Sequence, residues 1–214
     1  MRLNPIRHIL LITIGLSFLS CNEIAKETGN WIETDVTTSI PGEYHFLSDQ
    51  GTKVFLPKEF KKYSLSEFQN LLDSLFTKKE DFKRETARLN SIANMEGNLH
   101  IFYDPMSRSD IMINTVPYFQ FSKESASQLL GFIKINQDNK KLNKDLKFTK
   151  ITAKFGGNSQ QQIFKAIYKI ENTKLKTEHF STSYIISSND KTIIIRLTTP
   201  IEVQFDPYIE KINM

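Results

Sequence analysis

The feature that most constrains the fold is a series of β-type segments in the last third of the chain. Residues 161–171 divide into two alternating sets of side chains, which is the period-two pattern of a β-strand. Similar segments lie at 148–155, 177–187 and 192–197, and Asn189-Asp190 is a turn sequence between the last two. Strands that follow one another through short turns pair in antiparallel fashion. The sequence therefore predicts an antiparallel meander.

Helix signals and further strand pairs precede this meander. Ser64 and Glu67 have the spacing of a capping box, and Phe68, Leu72 and Leu75 follow them at helical intervals. Two strand pairs are predicted, a hairpin of 43–47 with 52–56 and a pair of 98–104 with 110–116. Three more helices are predicted: one from a second capping box at 77–80 to about Met95, one over 122–137, and a final one with Asp206 as N-cap. Residues 138–150 are predicted to form a loop.

These elements predict an α+β fold with a single antiparallel sheet of about six to eight strands flanked by helices. Three segments carry a family resemblance: 54–60, the pair 101–104 with 111–114, and 192–197 followed by a terminal helix. Their order resembles the PsbP-like α/β/α sandwich, which small bacterial envelope lipoproteins of the DcrB kind also use. The resemblance covers roughly residues 40–213. It implies a role in binding or assembly, and it implies no catalytic residues.

The first 20 residues have the layout of a secretory signal peptide. A short basic segment with Arg2 and Arg7 precedes an apolar run over 9–19, and Ser20 stands before Cys21. Eleven residues of helix span only about 16 Å at ~1.5 Å per residue. This run is too short to cross a hydrocarbon core of roughly 30 Å. We therefore interpret residues 1–20 as a cleaved signal rather than a membrane span.

Cys21 is the predicted site of lipid attachment. The segment Phe18-Leu19-Ser20-Cys21 resembles the lipobox of bacterial lipoproteins, in which the cysteine receives a diacylglyceryl group and the new amine is acylated. Cys21 is also the only cysteine in 214 residues, so it has no partner for an internal disulfide. A signal peptide with a coincidental cysteine is the alternative. We expect a lipid-anchored tether over 21–38 and a single globular domain over 39–214.

The resemblance to lipoproteins also implies a cellular location. A lipid-anchored chain of this kind belongs to the cell envelope of a Gram-negative bacterium. Asn22 follows the cysteine, where some bacteria use aspartate for retention in the inner membrane. The outer membrane is therefore favoured over the inner membrane.

Charge and motifs narrow the function classes. The whole chain carries a net charge of +4, and the predicted mature part carries +2 because Arg2 and Arg7 leave with the signal. This near balance disfavours nucleic acid as a partner. The chain has no P-loop, no Gly-x-Ser-x-Gly and no His-Glu-x-x-His motif, and we predict neither a catalytic site nor a cofactor.

The residue types indicate two alternative metal sites. His45, His100 and His179 each lie on a predicted strand and would bind a metal only if the fold brought them together. Asp104 and Asp110 bracket a serine-containing loop that has oxygen ligands for calcium, although turn formation explains the same residues. We expect surface, core or turn roles for all of them, and no metal site.

Three functions remain open. The favoured one is a membrane-anchored envelope protein that binds another envelope protein or assists assembly, without catalysis. The second is a carrier of an apolar ligand, because 16 phenylalanines could line a cavity between the sheet and the helices. The third is an envelope hydrolase, which requires a serine or aspartate within hydrogen-bond reach of His100 or His179.

Overall fold

The large sheet of the protein is antiparallel throughout and has seven strands. The structure is a computed structural model that describes residues 40–47, 51–76, 78–134, 143–158 and 160–214. The described strands and helices all belong to the unit Ser39–Met214. In chain order they are β1 (Glu43–Phe46), β2 (Lys53–Leu56), β3 (Lys61–Tyr63), α1 (Leu65–Leu75), α2 (Lys79–Ala93), β4 (Asn98–Asp104), β5 (Ser109–Val116), α3 (Ala126–Lys134), β6 (Leu146–Gly157), β7 (Gln161–Asn172), β8 (Thr177–Ser188), β9 (Lys191–Thr199) and α4 (Asp206–Ile209).

The strand order in the large sheet is β3-β4-β5-β9-β8-β7-β6. The predicted meander forms β6 to β9, and β9 closes the sheet by pairing with β5. A two-residue turn of Asn189 and Asp190, both with positive φ, joins β8 to β9, as expected for a tight hairpin with right-handed twist. The predicted α+β class with an antiparallel sheet is confirmed.

Two details of the predicted sheet are wrong. The hairpin β1–β2 forms a separate two-stranded sheet instead of joining the large one. Strand β3 was not predicted, because it is only three residues long, reads Lys-Lys-Tyr and lies at the edge of the sheet. A short edge strand with exposed lysines has no alternating apolar pattern to reveal it.

Side chains that oppose one another in antiparallel strands share a face, so the registers define two faces of the large sheet. On the helix face, a cluster built by α1, α2, β4 and β5 includes Phe68, Leu89, Ile101 and Met112. A second cluster on the same face joins α3 to β6, β7, β8 and β9 and includes Leu129 and Phe164. All three longer helices therefore pack on one face.

The opposite face, here called the hairpin face, is covered by β1–β2 and by α4. His45 of β1 lies with its ring 5.0 Å from that of Phe102 in β4. Asp206 of α4 bonds to Lys165 and Tyr184, which are cross-strand neighbours on β7 and β8. The helices, the sheet and the hairpin layer thus form three layers.

The helix ends follow the sequence signals only in part. Ser64 and Glu67 form the predicted capping box at the start of α1. Helix α2 instead begins after Lys78 with no side-chain cap, and Thr77 lies outside the described residues. Asp206 is the first residue of α4 rather than its N-cap, because its carboxylate is bound to Lys165 and Tyr184.

Other boundaries shift by a few residues. The helix predicted for 122–137 is described as α3 from Ala126 to Lys134. Residues 135–142, which are the end of that predicted helix and the start of the loop predicted for 138–150, lie outside the described part, and the end of the predicted loop is instead the start of β6 at Leu146. The signal, Cys21 and the tether up to residue 38 also lie outside it. Among the described helices, none has the length and apolar character of a membrane span.

Candidate functional site

A cleft opens on the helix face between the helices α1 and α2 and the ends of the strands β7 and β8. Its volume is about 310 Å³. This lies at the lower end of the range typical of ligand sites. Its lining combines apolar side chains with charges of both signs. The apolar ones include Phe68, Leu72, Phe76, Tyr103, Leu146 and Leu175, and the charged ones are Asp81, Arg84, Glu85, Arg88, Arg108, Asp110 and Glu178.

Arg88 is the centre of the charged wall. Its Nε lies 2.7 Å from Oε2 of Glu85, one helical turn earlier in α2. Its Nη2 lies 3.2 Å from each carboxylate oxygen of Asp110, at the start of β5. Burial raises the pKa of Asp110, and the Arg88 guanidinium offsets part of that effect. The two carboxylates in turn raise the pKa of Arg88 against the effect of burial.

A second buried guanidinium lies on the same face of the sheet. Arg196 in β9 is the cross-strand partner of Met112, whose Sδ is 3.8 Å from Nη1 of Arg88. Arg196 is only 9% exposed, and among the described residues its Nε has no hydrogen-bond partner. Burial, with Arg88 as a further cause, lowers its pKa to about 10. Arg196 is therefore still charged at pH 7, without the carboxylate pairing that Arg88 has.

His179 also lines the cleft. Burial lowers its pKa, and the charges of Glu85, Arg88 and Arg84 act on it in opposing directions. No serine or aspartate in the described ranges forms a hydrogen bond with His179 or with His100. The contact that the hydrolase hypothesis requires is therefore not formed.

The three histidines do not converge. The strand registers place His179 opposite Ile170 on the helix face, whereas His100 shares the hairpin face with Phe102. His45 approaches that same hairpin face from β1. Its Nε2 is 3.5 Å from a carboxylate oxygen of Glu43, and neither this atom nor Nε2 of His100 has a hydrogen-bond partner among the described residues. Within the described part of the chain, no group of three potential metal ligands is assembled.

The aspartates around the β4–β5 turn also point apart. Asp104 opposes Ser109 and faces the hairpin layer, whereas Asp110 opposes Tyr103 and faces the helices. Asp104 accepts hydrogen bonds from the backbone N–H of Met106 at 2.9 Å and of Ser107 at 3.2 Å, and from the Ser107 hydroxyl. Asp104 therefore stabilises the turn. Because Asp104 and Asp110 point to opposite faces of the sheet, they cannot share a calcium ion.

The hairpin face carries a second concavity, here called the apolar pocket. It has a volume of about 340 Å³ and lies between the β4–β5 turn, the end of β9 and the segment 200–208. We define it by Phe60, Leu197, Ile201, Val203, Phe205 and Tyr208. The carrier hypothesis placed such a cavity between the sheet and the helices. The structure places it on the other face.

Sequence reasoning named Asp110 and Asp206 in other roles but missed the ion pairs that they form with Arg88 and Lys165 on the two faces. Arg88 and Asp110 are 22 residues apart, and Lys165 and Asp206 are 41 residues apart, so no local spacing pairs them. One signal was available for Arg196, because it interrupts the apolar run Ile193-Ile194-Ile195-Arg196-Leu197. A charge inside a strand that is buried on both faces needs a special explanation.

No protein-family model and no curated protein sequence matches the chain. Among solved structures, the chain is similar to the solution structure of cyanobacterial PsbP (CyanoP) from Synechocystis sp. PCC 6803, with a TM-score of 0.48 and 11% sequence identity. The match covers 78% of this chain and 85% of that chain. A similarity of this size carries no information about function.

Proposed function

We propose that the protein is a lipid-anchored lipoprotein of the bacterial cell envelope, most consistent with the outer membrane, whose folded domain binds another envelope protein. The anchor follows from the signal layout and the single Cys21. The binding role rests on one observation, the mixed apolar and charged cleft between α1, α2 and the β7–β8 end of the sheet. In this proposal the domain catalyses no reaction.

The chemistry of the cleft suits a peptide segment better than a small anion or cation. Apolar floor residues such as Phe68 and Tyr103 can receive an apolar side chain, while the exposed Arg108 and Glu178 offer both signs of charge at the rim. Interfaces between proteins combine an apolar centre with a polar rim in this way. The near balance of charge in the cleft gives no preference for a highly charged ligand.

Mass spectrometry of the mature protein tests the anchor. We expect an N-terminus at Cys21 carrying a diacylglyceryl group and an N-acyl chain, and Cys21→Ser should leave the protein unacylated. An unmodified Cys21 or a mature N-terminus elsewhere would contradict the anchor without touching the binding role.

Affinity capture from detergent extracts tests the binding role. Leu175 lines the cleft and is 37% exposed, so Leu175→Asp adds a charge at the binding surface with little effect on folding. Ile151 is 44% exposed on the edge strand β6 and does not line the cleft, so Ile151→Asp is a matched control. We expect a specifically retained protein to be lost with Leu175→Asp and kept with Ile151→Asp. Equal retention by both variants would show that the cleft is not the binding site.

A further inference from the structure

We infer that the apolar pocket on the hairpin face holds one acyl chain of a membrane lipid. Its deepest walls are the side chains of Phe60, Leu197 and Phe205, all of which are buried. Ile201, which is 66% exposed, stands at its mouth. The volume of about 340 Å³ is roughly twice that of an apolar cavity of ~150 Å³ that can hold benzene. A segment of hydrocarbon chain therefore fits.

The hydroxyl groups around the pocket are already engaged in hydrogen bonds, and the remaining polar side chain of its lining, the amide of Gln204, is exposed. The Thr199 hydroxyl donates to the carbonyl of Ile201 at 2.6 Å. The Ser107 hydroxyl is 2.9 Å from that of Ser109 and also bonds to Asp104. Of the described side chains that line the pocket, none is charged. A site whose hydroxyls are already paired selects for apolar surface.

The described chain begins beside this pocket. The Tyr208 hydroxyl donates to the backbone carbonyl of Pro41 at 3.2 Å, and the ring of Tyr208 is part of the pocket wall. The residues from Cys21 to Ile40 can span at most ~65 Å even when fully extended. If Cys21 is acylated as proposed, the pocket stays within that distance of the bilayer, where lipid chains are abundant.

Aromatic and basic side chains continue from the pocket onto the hairpin. The rings of Phe205 and Tyr208 stack with centroids 4.9 Å apart, Phe55 follows at 6.1 Å, and Tyr44 contacts Phe55 at 4.9 Å. Lys211 lies over the ring of Phe55 at 4.7 Å. Phe55 and Phe205 are buried, so the rings of this group that reach the surface are Tyr44, which is 53% exposed, and part of Tyr208. Exposed aromatic rings with adjacent lysines are typical of surfaces that meet lipid headgroups. This surface favours a lipid over an aliphatic side chain of a protein as the occupant.

Photocrosslinking tests the inference. The full-length mature protein is reconstituted into phosphatidylcholine vesicles that contain a trace of phosphatidylcholine with a diazirine on one acyl chain. After illumination, labelled peptides are mapped by mass spectrometry. We expect label on the peptides that contain Phe60 and residues 197–208. Absence of label there above the background of the other peptides would overturn the inference.

Two variants separate occupancy of the pocket from contact of its rim with the bilayer. Val203→Trp fills the pocket, and Ile201→Glu places a carboxylate at its mouth. Each should lower labelling of Phe60 to roughly a tenth of the wild-type yield or less. Leu130→Trp is the control, because Leu130 is a partly buried apolar residue of α3 on the other face. Undiminished labelling in both pocket variants would contradict the inference.

The inference rests on the proposed function only in that the anchor brings the pocket close to membrane lipid. Failure of the lipid assignment can be distinguished from failure of the anchor. The mass of the mature N-terminus reports on Cys21, whereas the labelled peptides report on the pocket. If the pocket peptides stay unlabelled and Val203→Trp instead abolishes retention of a protein partner, the occupant is a protein side chain and the lipid assignment is wrong.

Discussion

Lys165 and Asp206 form an ion pair in which the lysine Nζ lies 2.7 Å from both carboxylate oxygens. The pair joins the middle of β7 to the first residue of α4, and Tyr184 donates a further hydrogen bond of 2.7 Å to the same carboxylate. Both charged side chains are largely buried. This network attaches α4 to the hairpin face, and α4 in turn supplies Tyr208 to the apolar pocket.

Removing the charge of Asp206 should therefore destabilise the fold. Asp206→Asn leaves the Lys165 ammonium buried without its counter-charge, a change that typically costs about 3 kcal/mol of unfolding free energy. Urea denaturation followed by circular dichroism measures this loss. Lys165→Met combined with Asp206→Asn should recover part of it, because no unpaired charge remains. Lys165→Met alone completes the cycle, and a double variant whose loss equals the sum of the two single losses would show that the pair is not coupled.

The two buried arginines of the helix face should respond in opposite directions to the same substitution. Arg88→Met leaves the carboxylates of Asp110 and Glu85 unpaired, and we expect it to lower the unfolding free energy by about 3 kcal/mol. Arg196→Met removes a buried cation. The Nε of Arg196 has no hydrogen-bond partner among the described residues, and the positive charge of Arg88 repels the guanidinium. We expect the unfolding free energy of this variant to equal that of the wild type or to exceed it by up to about 1 kcal/mol. A clear loss of stability in Arg196→Met would show that Arg196 has an attractive partner.

A stable Arg196→Met variant would also raise the question of why the arginine is present. The places where a natural sequence breaks the rules of stability are often functional sites. The capture assay with Leu175→Asp can be repeated with Arg196→Met. We expect weaker retention of the partner, and unchanged retention would limit the binding role to the side chains that line the cleft.

Much of the sheet could be predicted from the sequence because its signals are local. The strands β4, β5, β7, β8 and β9 have long apolar or alternating runs that end at turn residues. The capping box of Ser64 and Glu67 depends on residues three apart and was predicted correctly. Periodicity and capping report on neighbours in the chain, so these predictions did not need the tertiary structure.

The parts that failed depend on contacts between distant residues. The hairpin β1–β2 has ordinary strand sequence, and only its packing against Phe102 and α4 determines that it forms a separate layer. Asp206 has the sequence of an N-cap, yet a lysine 41 residues away binds its carboxylate. The cleft likewise joins α2 to β5 and to the β7–β8 turn. The sequence contains the charges, but no spacing rule indicates which of them meet.

The N-terminal cap of α1 gives a local test of stability. Ser64→Ala removes the hydroxyl that accepts a hydrogen bond from the Glu67 N–H and should lower the unfolding free energy by about 1 kcal/mol. Ser74→Ala is a control in the same helix, since its hydroxyl donates only to the carbonyl of Leu71. Alanine is a better helix former than serine, so this control should be neutral or slightly stabilising. Equal losses in the two variants would contradict a specific role for the cap.

Acidification below neutral pH should destabilise the protein through its histidines. Burial lowers the pKa of His45, His100 and His179 from the ordinary value of 6.5. As the pH falls through 6.5, the unfolded chain binds protons that the folded chain does not. The unfolding free energy is therefore fully retained above about pH 6.5 and falls as the pH drops towards the folded pKa values.

Denaturation in urea at pH 7.5 and pH 5.5 measures this effect. The pKa values of Glu67 and Asp104 are also lowered, but they change the unfolding free energy only below about pH 4.5, outside this interval. The raised pKa of Asp110 opposes the effect of the histidines, because a carboxyl group with a raised pKa stabilises the folded state as the pH falls. We expect the wild type to be less stable at pH 5.5 and the double variant His45→Gln/His100→Gln to lose less. A double variant that loses as much stability as the wild type between pH 7.5 and pH 5.5 would show that His45 and His100 do not cause the loss.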